Sequence, residues 1–129
     1  MLDGKILSSI GNDRVADHYG MRVESMGPGE AVVSMEILDR HLNGNGTVQG
    51  GASFALADVA FALAANSRGP AVGANASITY CAAARSGTLY ARAREVSLSR
   101  KLGTYEVVIE DESGKTVALF QALSYRKGD

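Results

Sequence analysis

The chain has 129 residues, 46% hydrophobic and 21% charged, which fits one domain over 1–129 with a single core. Its formal net charge is -1 with no long run of one sign, and this argues against a nucleic-acid partner. The lone Cys81 rules out an intrachain disulfide and fits a reducing, cytoplasmic setting. The opening residues lack the pattern of a secretory leader. The apolar stretch from Ala52 to Ala65 is shorter than the ~20 residues a bilayer demands, so no membrane partner is expected.

In chain order, Leu2 to Tyr19 carries Ile6, Ile10 and Val15 at helical spacing, with Gly20 as a stop. Met21 to Met26 and Glu30 to Leu38 read as two strands joined across Gly27-Pro28-Gly29, a hairpin. His41 to Gly51 is a Gly/Asn-rich loop without periodicity. A helix from Ala52 to Ala65 follows and ends near Asn66 to Gly69. Four more strands come after Pro70: Ala71 to Ala83, Thr88 to Leu98, Tyr105 to Asp111 and Lys115 to Tyr125. Their turns are Arg85-Ser86-Gly87, Leu102-Gly103 and Glu112-Ser113-Gly114. Leu89, Ala91 and Ala93 alternate with Tyr90, Arg92 and Arg94, so one face of that strand is buried and the basic face is solvated.

The informative segment is the helix. It is apolar at every position but Ser53 and Asp58, which leaves no polar face to hold a carboxylate. An ionised carboxylate buried without a partner costs several kcal/mol, and the helix carries no Lys or Arg to pair with it. Asp58 is therefore the first candidate for a functional group. Gly50 and Gly51, with Gln49 ahead of them, open the same helix, where unpaired N–H groups and the positive end of the macrodipole favour an anion or an oxyanion. Gly50 and Asp58 are eight residues apart, about 12 Å along the axis, too far for one helix to offer both to one carbonyl. Two antiparallel copies about a two-fold axis can bring Asp58 of one beside the helix start of the other and cover the apolar face as well.

The stretch HLNGNGTVQGGASFALADVAFALAANSRG resembles the signature region of hotdog-fold acyl-CoA thioesterases of the phenylacetate-degradation branch. Gly11-Asn12-Asp13 and Lys115-Thr116-Val117-Ala118-Leu119-Phe120 extend the resemblance. It implies an α+β hotdog fold, a curved antiparallel sheet of five or six strands wrapped around one long central helix. It also implies hydrolysis of an aromatic or medium-sized acyl-CoA thioester, with a homodimer as the minimal active unit and a homotetramer of two such dimers favoured on family grounds. By that resemblance Asp58 is the catalytic carboxylate, as general base or nucleophile, the Gly50 N–H polarises the thioester carbonyl, and Asn43 is a polar loop residue at the site. Gln49 and Gly51 fall beside the substrate. Three positions depart from the pattern: Gln49 where a His is usual, Val59 where a Thr often follows the Asp, and Ala82-Ala83 where Arg-Pro is common. A glutamine amide donates a hydrogen bond but takes up no proton.

Arg100 and Lys101, at a turn between strands, are candidates to neutralise the phosphates of coenzyme A, against the ordinary reading of a solvated basic turn. Asp58 as a structural group across an interface, Asn43 and Asn45 as turn formers, and Gln49 as a helix cap are the plain alternatives. His18 and His41 read as solvated and Cys81 as a small core hydrophobe. The spacing offers no metal site and no cofactor is expected. Two other functions compete: a non-catalytic acyl-CoA-binding protein, and an acyl-thioester hydratase or dehydratase, whose chemistry normally needs a His that this helix lacks.

Overall fold

The computed structural model describes residues 13–127. The helical spacing of Ile6 and Ile10 and the Gly11-Asn12 match lie outside the described residues. A short helix α1 (Arg14–His18) is capped by Asp13, whose side chain accepts the Ala16 N–H, and the chain then turns at Gly20 with φ 73°. Strands β1 (Met21–Gly27) and β2 (Glu30–Glu36) form the expected hairpin, with Gly29 at φ 72° supplying the left-handed residue of the turn. A 3-10 turn, Asp39–His41, leads into the loop. The long helix α2 (Gly50–Asn66) follows, then β3 (Ala71–Tyr80), β4 (Thr88–Leu98), β5 (Leu102–Glu110) and β6 (Thr116–Arg126).

The six strands form one antiparallel sheet in the order β1-β2-β4-β5-β6-β3. Register shifts interrupt four pairings, at Val23/Ser25, Gly73/Asn75, Glu95/Ser97 and Ile109/Glu110. Each such irregularity bends its strand and sharpens the twist, which gives the sheet the curvature to close around a helix. Helix α2 packs against β2, β3, β4, β5 and β6. The core lies between them: Leu56, Leu63, Met35, Leu89, Ile109, Tyr105 and Phe120 are fully buried. Phe54 of the helix meets Phe120 edge-on at 5.2 Å, and Phe61 meets Tyr105 at 5.6 Å.

Several expectations change. The strand read as Tyr105 to Asp111 begins at Leu102, because Leu102-Gly103 is not a turn; the turn is Ser99 to Lys101, closed by the Ser99 N–H on the Leu102 carbonyl at 2.8 Å. Gly103 is a glycine for a packing reason, since a Cβ there would stand 2.8 Å from Ser124 Oγ and 2.9 Å from the Tyr105 ring. The strand read as Ala71 to Ala83 stops at Tyr80, where the Cys81 and Ala82 N–H groups both donate to the Val117 carbonyl and the chain leaves the sheet edge. Cys81 is consequently exposed rather than a core residue. His41 is not solvated but 1% exposed: Nδ1 accepts the Leu38 N–H at 2.9 Å, which leaves Nε2 to donate to the Tyr19 carbonyl at 2.9 Å. His18 is exposed, as expected, and Leu89, Ala91 and Ala93 are buried while Arg92 and Arg94 face out. The outward arginines pair with Glu110 and Glu106.

The largest correction concerns Asp58, which is exposed in this chain. The sheet covers α2 on one side only. Gly51, Ala55, Asp58 and Ala62 recur at three to four residues along its outer face; Gly51 and Asp58 are exposed and the two alanines half-buried. Edge strand β3 is likewise open, with Val72, Gly73, Ala74, Asn75, Ala76 and Ser77 exposed in succession.

Candidate active site

The start of α2 is built by its neighbours. Gln49 is extended (φ -64°, ψ 140°) and its carbonyl accepts the Ala52 N–H at 2.9 Å and the Ser53 N–H at 3.3 Å, while its side chain makes no capping bond. The cap is thus a main-chain one. The Gly50 and Gly51 N–H groups find no acceptor among the described residues, so two donors stand free at the positive end of a 17-residue helix. The loop before it is held from both sides: Val48 N–H donates to the Ala84 carbonyl at 2.9 Å and Gln49 N–H to the His41 carbonyl at 2.8 Å. Asn43 folds the loop tip, its Oδ1 accepting the Asn45 N–H (2.9 Å) and both the N–H and hydroxyl of Thr47 (3.2 Å each). Its amide nitrogen is uncommitted among the described residues.

Tyr80, at the end of β3, completes the corner. Its hydroxyl donates to the Gly50 carbonyl at 2.9 Å, and a Cβ on Gly50 would lie 2.8 Å from the ring and its oxygen. A side chain at position 50 would therefore have to displace the Tyr80 ring. Between these parts lies a groove of about 500 Å³, lined by Gly50 and Ser53 of the helix, Thr47 and Val48 of the loop, the Tyr80–Ala84 strand end and Val117. The Ala82-Ala83 pair forms part of its wall.

Asp58 does not line this groove; it sits two turns further along α2, on the open face. Although Asp58 stands on an exposed face, the protein around it partly desolvates its carboxyl, and this first, with the charge of Asp13 second, holds it above the usual aspartate range. Asn43 and Gln49 are exposed beside the groove and Gly51 lies on the open face. Arg100 and Lys101 are at the other end of the molecule: the Lys101 carbonyl accepts the Arg126 N–H, and Arg126 Nη2 reaches the carbonyl of Arg68, just past the C-terminal end of α2. Within one chain, then, the free N–H groups at the start of α2 and the groove form one cluster, Asp58 a second station, and the basic turn a third. Tyr80 and Ser53 are the lining residues that the sequence reading left without a role. Ser53 carried a signal, being the one polar residue besides Asp58 in the run Ala52 to Ala65. Tyr80 carried none, because its contact spans 30 residues.

Among the described residues no group of His, Cys, Asp or Glu is arranged to hold a metal ion, and no helix is long and apolar enough to cross a membrane.

Comparison with known proteins bears on this arrangement. The thioesterase superfamily profile matches residues 45–118, from the loop tip through the helix to the start of β6. The acyl-coenzyme A thioesterase PaaI of Escherichia coli K12 is 40% identical over 119 residues, 91% of this chain and 85% of that protein. The solved structure of E. coli PaaI, from the phenylacetic acid degradation operon, superposes with a TM-score of 0.91 at 38% identity, covering 95% of this chain and 90% of that one. A variant of the phenylacetic acid degradation protein PaaI from Thermus thermophilus superposes with a TM-score of 0.86 at 45% identity, covering 88% and 99%.

Proposed function

The chain belongs to the thioesterase superfamily and is a thioester hydrolase, and on that premise we propose that it cleaves an acyl-CoA carrying an aromatic or medium-sized acyl group at a site shared by two copies of the chain. The observation that carries this reading is the open face of α2, where an acidic residue stands exposed among glycine and alanine. Small residues let a second backbone approach closely, and an unpaired strand such as β3 offers its free N–H and C=O groups to an identical strand. A two-fold axis at that edge brings two α2 helices side by side in opposite directions. Asp58 of one copy then falls near Gly50 of its partner, which removes the separation of about 12 Å within a single helix.

The chemistry follows from the groups. The thioester carbonyl oxygen accepts the Gly50 N–H, favoured by the helix dipole. Asp58 takes a proton from a water molecule as the water oxygen bonds to the carbonyl carbon; the raised carboxyl suits it to that task. The negative charge on the former carbonyl oxygen is held by the N–H until the C–S bond breaks. A thiol of ordinary pKa, about 8.5, leaves as thiolate without an acid catalyst. Gln49, next in the chain to Gly50, and the amide of Asn43, whose Oδ1 holds Thr47 of the groove, would hold the water or the acyl group by hydrogen bonds. Arg100 and Lys101, remote from the groove of their own chain, face the CoA phosphates only if the partner's site extends to them.

The deciding experiment is Asp58→Asn assayed by thiol trapping on phenylacetyl-, benzoyl- and straight-chain acyl-CoAs. The reading expects a loss of about 10²-fold or more in kcat. Full activity in that variant ends it. In heavy-oxygen water, a single turnover labels the released acid and leaves Asp58 unlabelled; label in the carboxyl of Asp58 means direct attack instead. Binding of acyl-CoA with no thiol release from the unaltered protein would mean a binding protein.

A further inference from the structure

Besides the free Gly50 N–H, the groove contains one polar side chain without a partner among the described residues. Tyr80 is committed to the Gly50 carbonyl and the Thr47 hydroxyl to Asn43. Ser53 lines the same groove, is 3% exposed, and its hydroxyl makes no hydrogen bond among the described residues. It does not even bond back to the carbonyl one turn earlier, the usual refuge of a helical serine. Around it the wall is apolar and small: Val48, Ala82, Ala83, Ala84 and Val117. No fully enclosed side-chain oxygen among the described residues lacks a partner, so this unbonded hydroxyl opens into the groove and is met there by water or by a ligand. Serine here gives an otherwise apolar stretch of groove wall one hydrogen-bond donor and acceptor.

We propose that Ser53 is a substrate-binding residue, whose hydroxyl hydrogen-bonds a polar group carried a few bonds from the thioester carbonyl. The distance is set by the helix. Ser53 is three residues after Gly50, about 4.5 Å along the axis, so a carbonyl docked on the Gly50 N–H presents to Ser53 the atoms two to four bonds away. Two parts of an acyl-CoA offer a hydrogen-bonding group at that reach. One is the first amide of the pantetheine arm, common to every such substrate. The other is a hydroxyl or keto substituent on the acyl chain, which would make Ser53 a determinant of acyl specificity. The proposal rests on the thioesterase reading of Gly50 for its distances, though its test does not require turnover.

The test compares the full-length protein with Ser53→Ala by calorimetric titration of three non-hydrolysable ketones, in which a methylene separates the carbonyl from sulfur. These are the butyryl and β-hydroxybutyryl analogues on CoA, and a β-hydroxybutyryl analogue on a simple alkyl thiol that lacks the pantetheine amide. If the acyl substituent is the partner, Ser53→Ala weakens both β-hydroxy ligands by about five- to tenfold and leaves the butyryl one unchanged. If the amide is the partner, both CoA ligands weaken equally and the alkyl-thiol ligand does not. Either pattern, with a melting temperature equal to or above that of the unaltered protein, supports the proposal. Equal binding of all three ligands by both proteins overturns it, as does absence of binding by the unaltered protein. A weaker affinity accompanied by a lower melting temperature also overturns it, because the hydroxyl would then be structural. Normal binding without thiol release from true thioesters defeats the hydrolytic site reading and leaves the assignment of Ser53 standing.

Discussion

Gly50→Ala tests whether Tyr80 sets the shape of the helix start. The added Cβ would lie 2.8 Å from the Tyr80 ring and hydroxyl and 3.3 Å from a further ring carbon, closer than carbon atoms approach. Because Tyr80 is 53% exposed, the ring can swing away, so the cost is not a full core overpacking. It is the loss of the hydroxyl bond to the Gly50 carbonyl, about 0.5–1.5 kcal/mol, with the packing of the ring added. Against this, alanine gains something short of the ~1 kcal/mol it enjoys over glycine in a helix interior. Gly50→Ala should therefore lower stability by about 1 kcal/mol, a shift of about 4 °C in Tm at fixed protein concentration. In a Tyr80→Ala background the clash is gone and only the helix gain remains, so the sign reverses. The cycle is read by urea unfolding and by thiol release at saturating acyl-CoA. The doubly substituted protein should keep the kcat of Tyr80→Ala, since alanine retains the N–H. Equal destabilisation in both backgrounds, or a double variant far less active than Tyr80→Ala, would refute the reasoning.

Five further outcomes follow from the same geometry. The kcat/KM profile should fall on its acid side at a pH above the ordinary aspartate range, and Asp13→Asn, which keeps the α1 cap, should move that limb to lower pH. The folded carboxyl binds protons more readily than the unfolded one, so its contribution to stability is present below the unfolded pKa and lost as pH rises through the folded value; Asp58→Asn should accordingly raise Tm at neutral pH. Glu95→Ala should cost about 2–3 kcal/mol by urea unfolding, because Glu95 accepts the hydroxyl of the fully buried Tyr105 (3.2 Å) and both Nε and Nη2 of Arg68, and most of that cost should vanish in Tyr105→Phe. The Tyr105 phenol, pushed up to about 12 mainly by burial, should resist ionisation in an ultraviolet titration until the same pH. Ala76→Lys on the open edge of β3 should give monomers by sedimentation and abolish thiol release, since a charge on an edge strand opposes pairing with an identical strand.

What the sequence made legible is what local physics decides. The Gly27-Pro28-Gly29 hairpin, the alternation of Leu89, Ala91 and Ala93, and the long helix all appear where pattern and turn chemistry put them. Errors arose where a long-range contact outvoted the local signal. Gly103 reads as a turn residue, yet it lies in a strand because Tyr105 and Ser124 occupy the space of its side chain. His41 reads as a loop histidine, but a 3-10 turn locks it between Leu38 and Tyr19. Asp58 shows the limit most plainly: an apolar helix was legible, but its exposed outer stripe was not, because Gly51, Ala55 and Ala62 are as apolar as the residues that face the sheet. The candidate site was half legible. Gly50 and Asp58 stood out by type and spacing, whereas Tyr80 enters through the fold alone.

The most direct test of a site shared between chains is complementation. Asp58→Asn removes the carboxylate and Gly50→Pro removes the N–H at the first helical position, so each is inactive as a pure dimer under this account. Coexpressed in equal amounts, they should pair at random, and half the dimers would carry one intact site, giving about a quarter of the unaltered activity. No recovery beyond the two parents, with mixed dimers verified by differential tags, would mean that Asp58 and Gly50 do not meet across the two-fold axis.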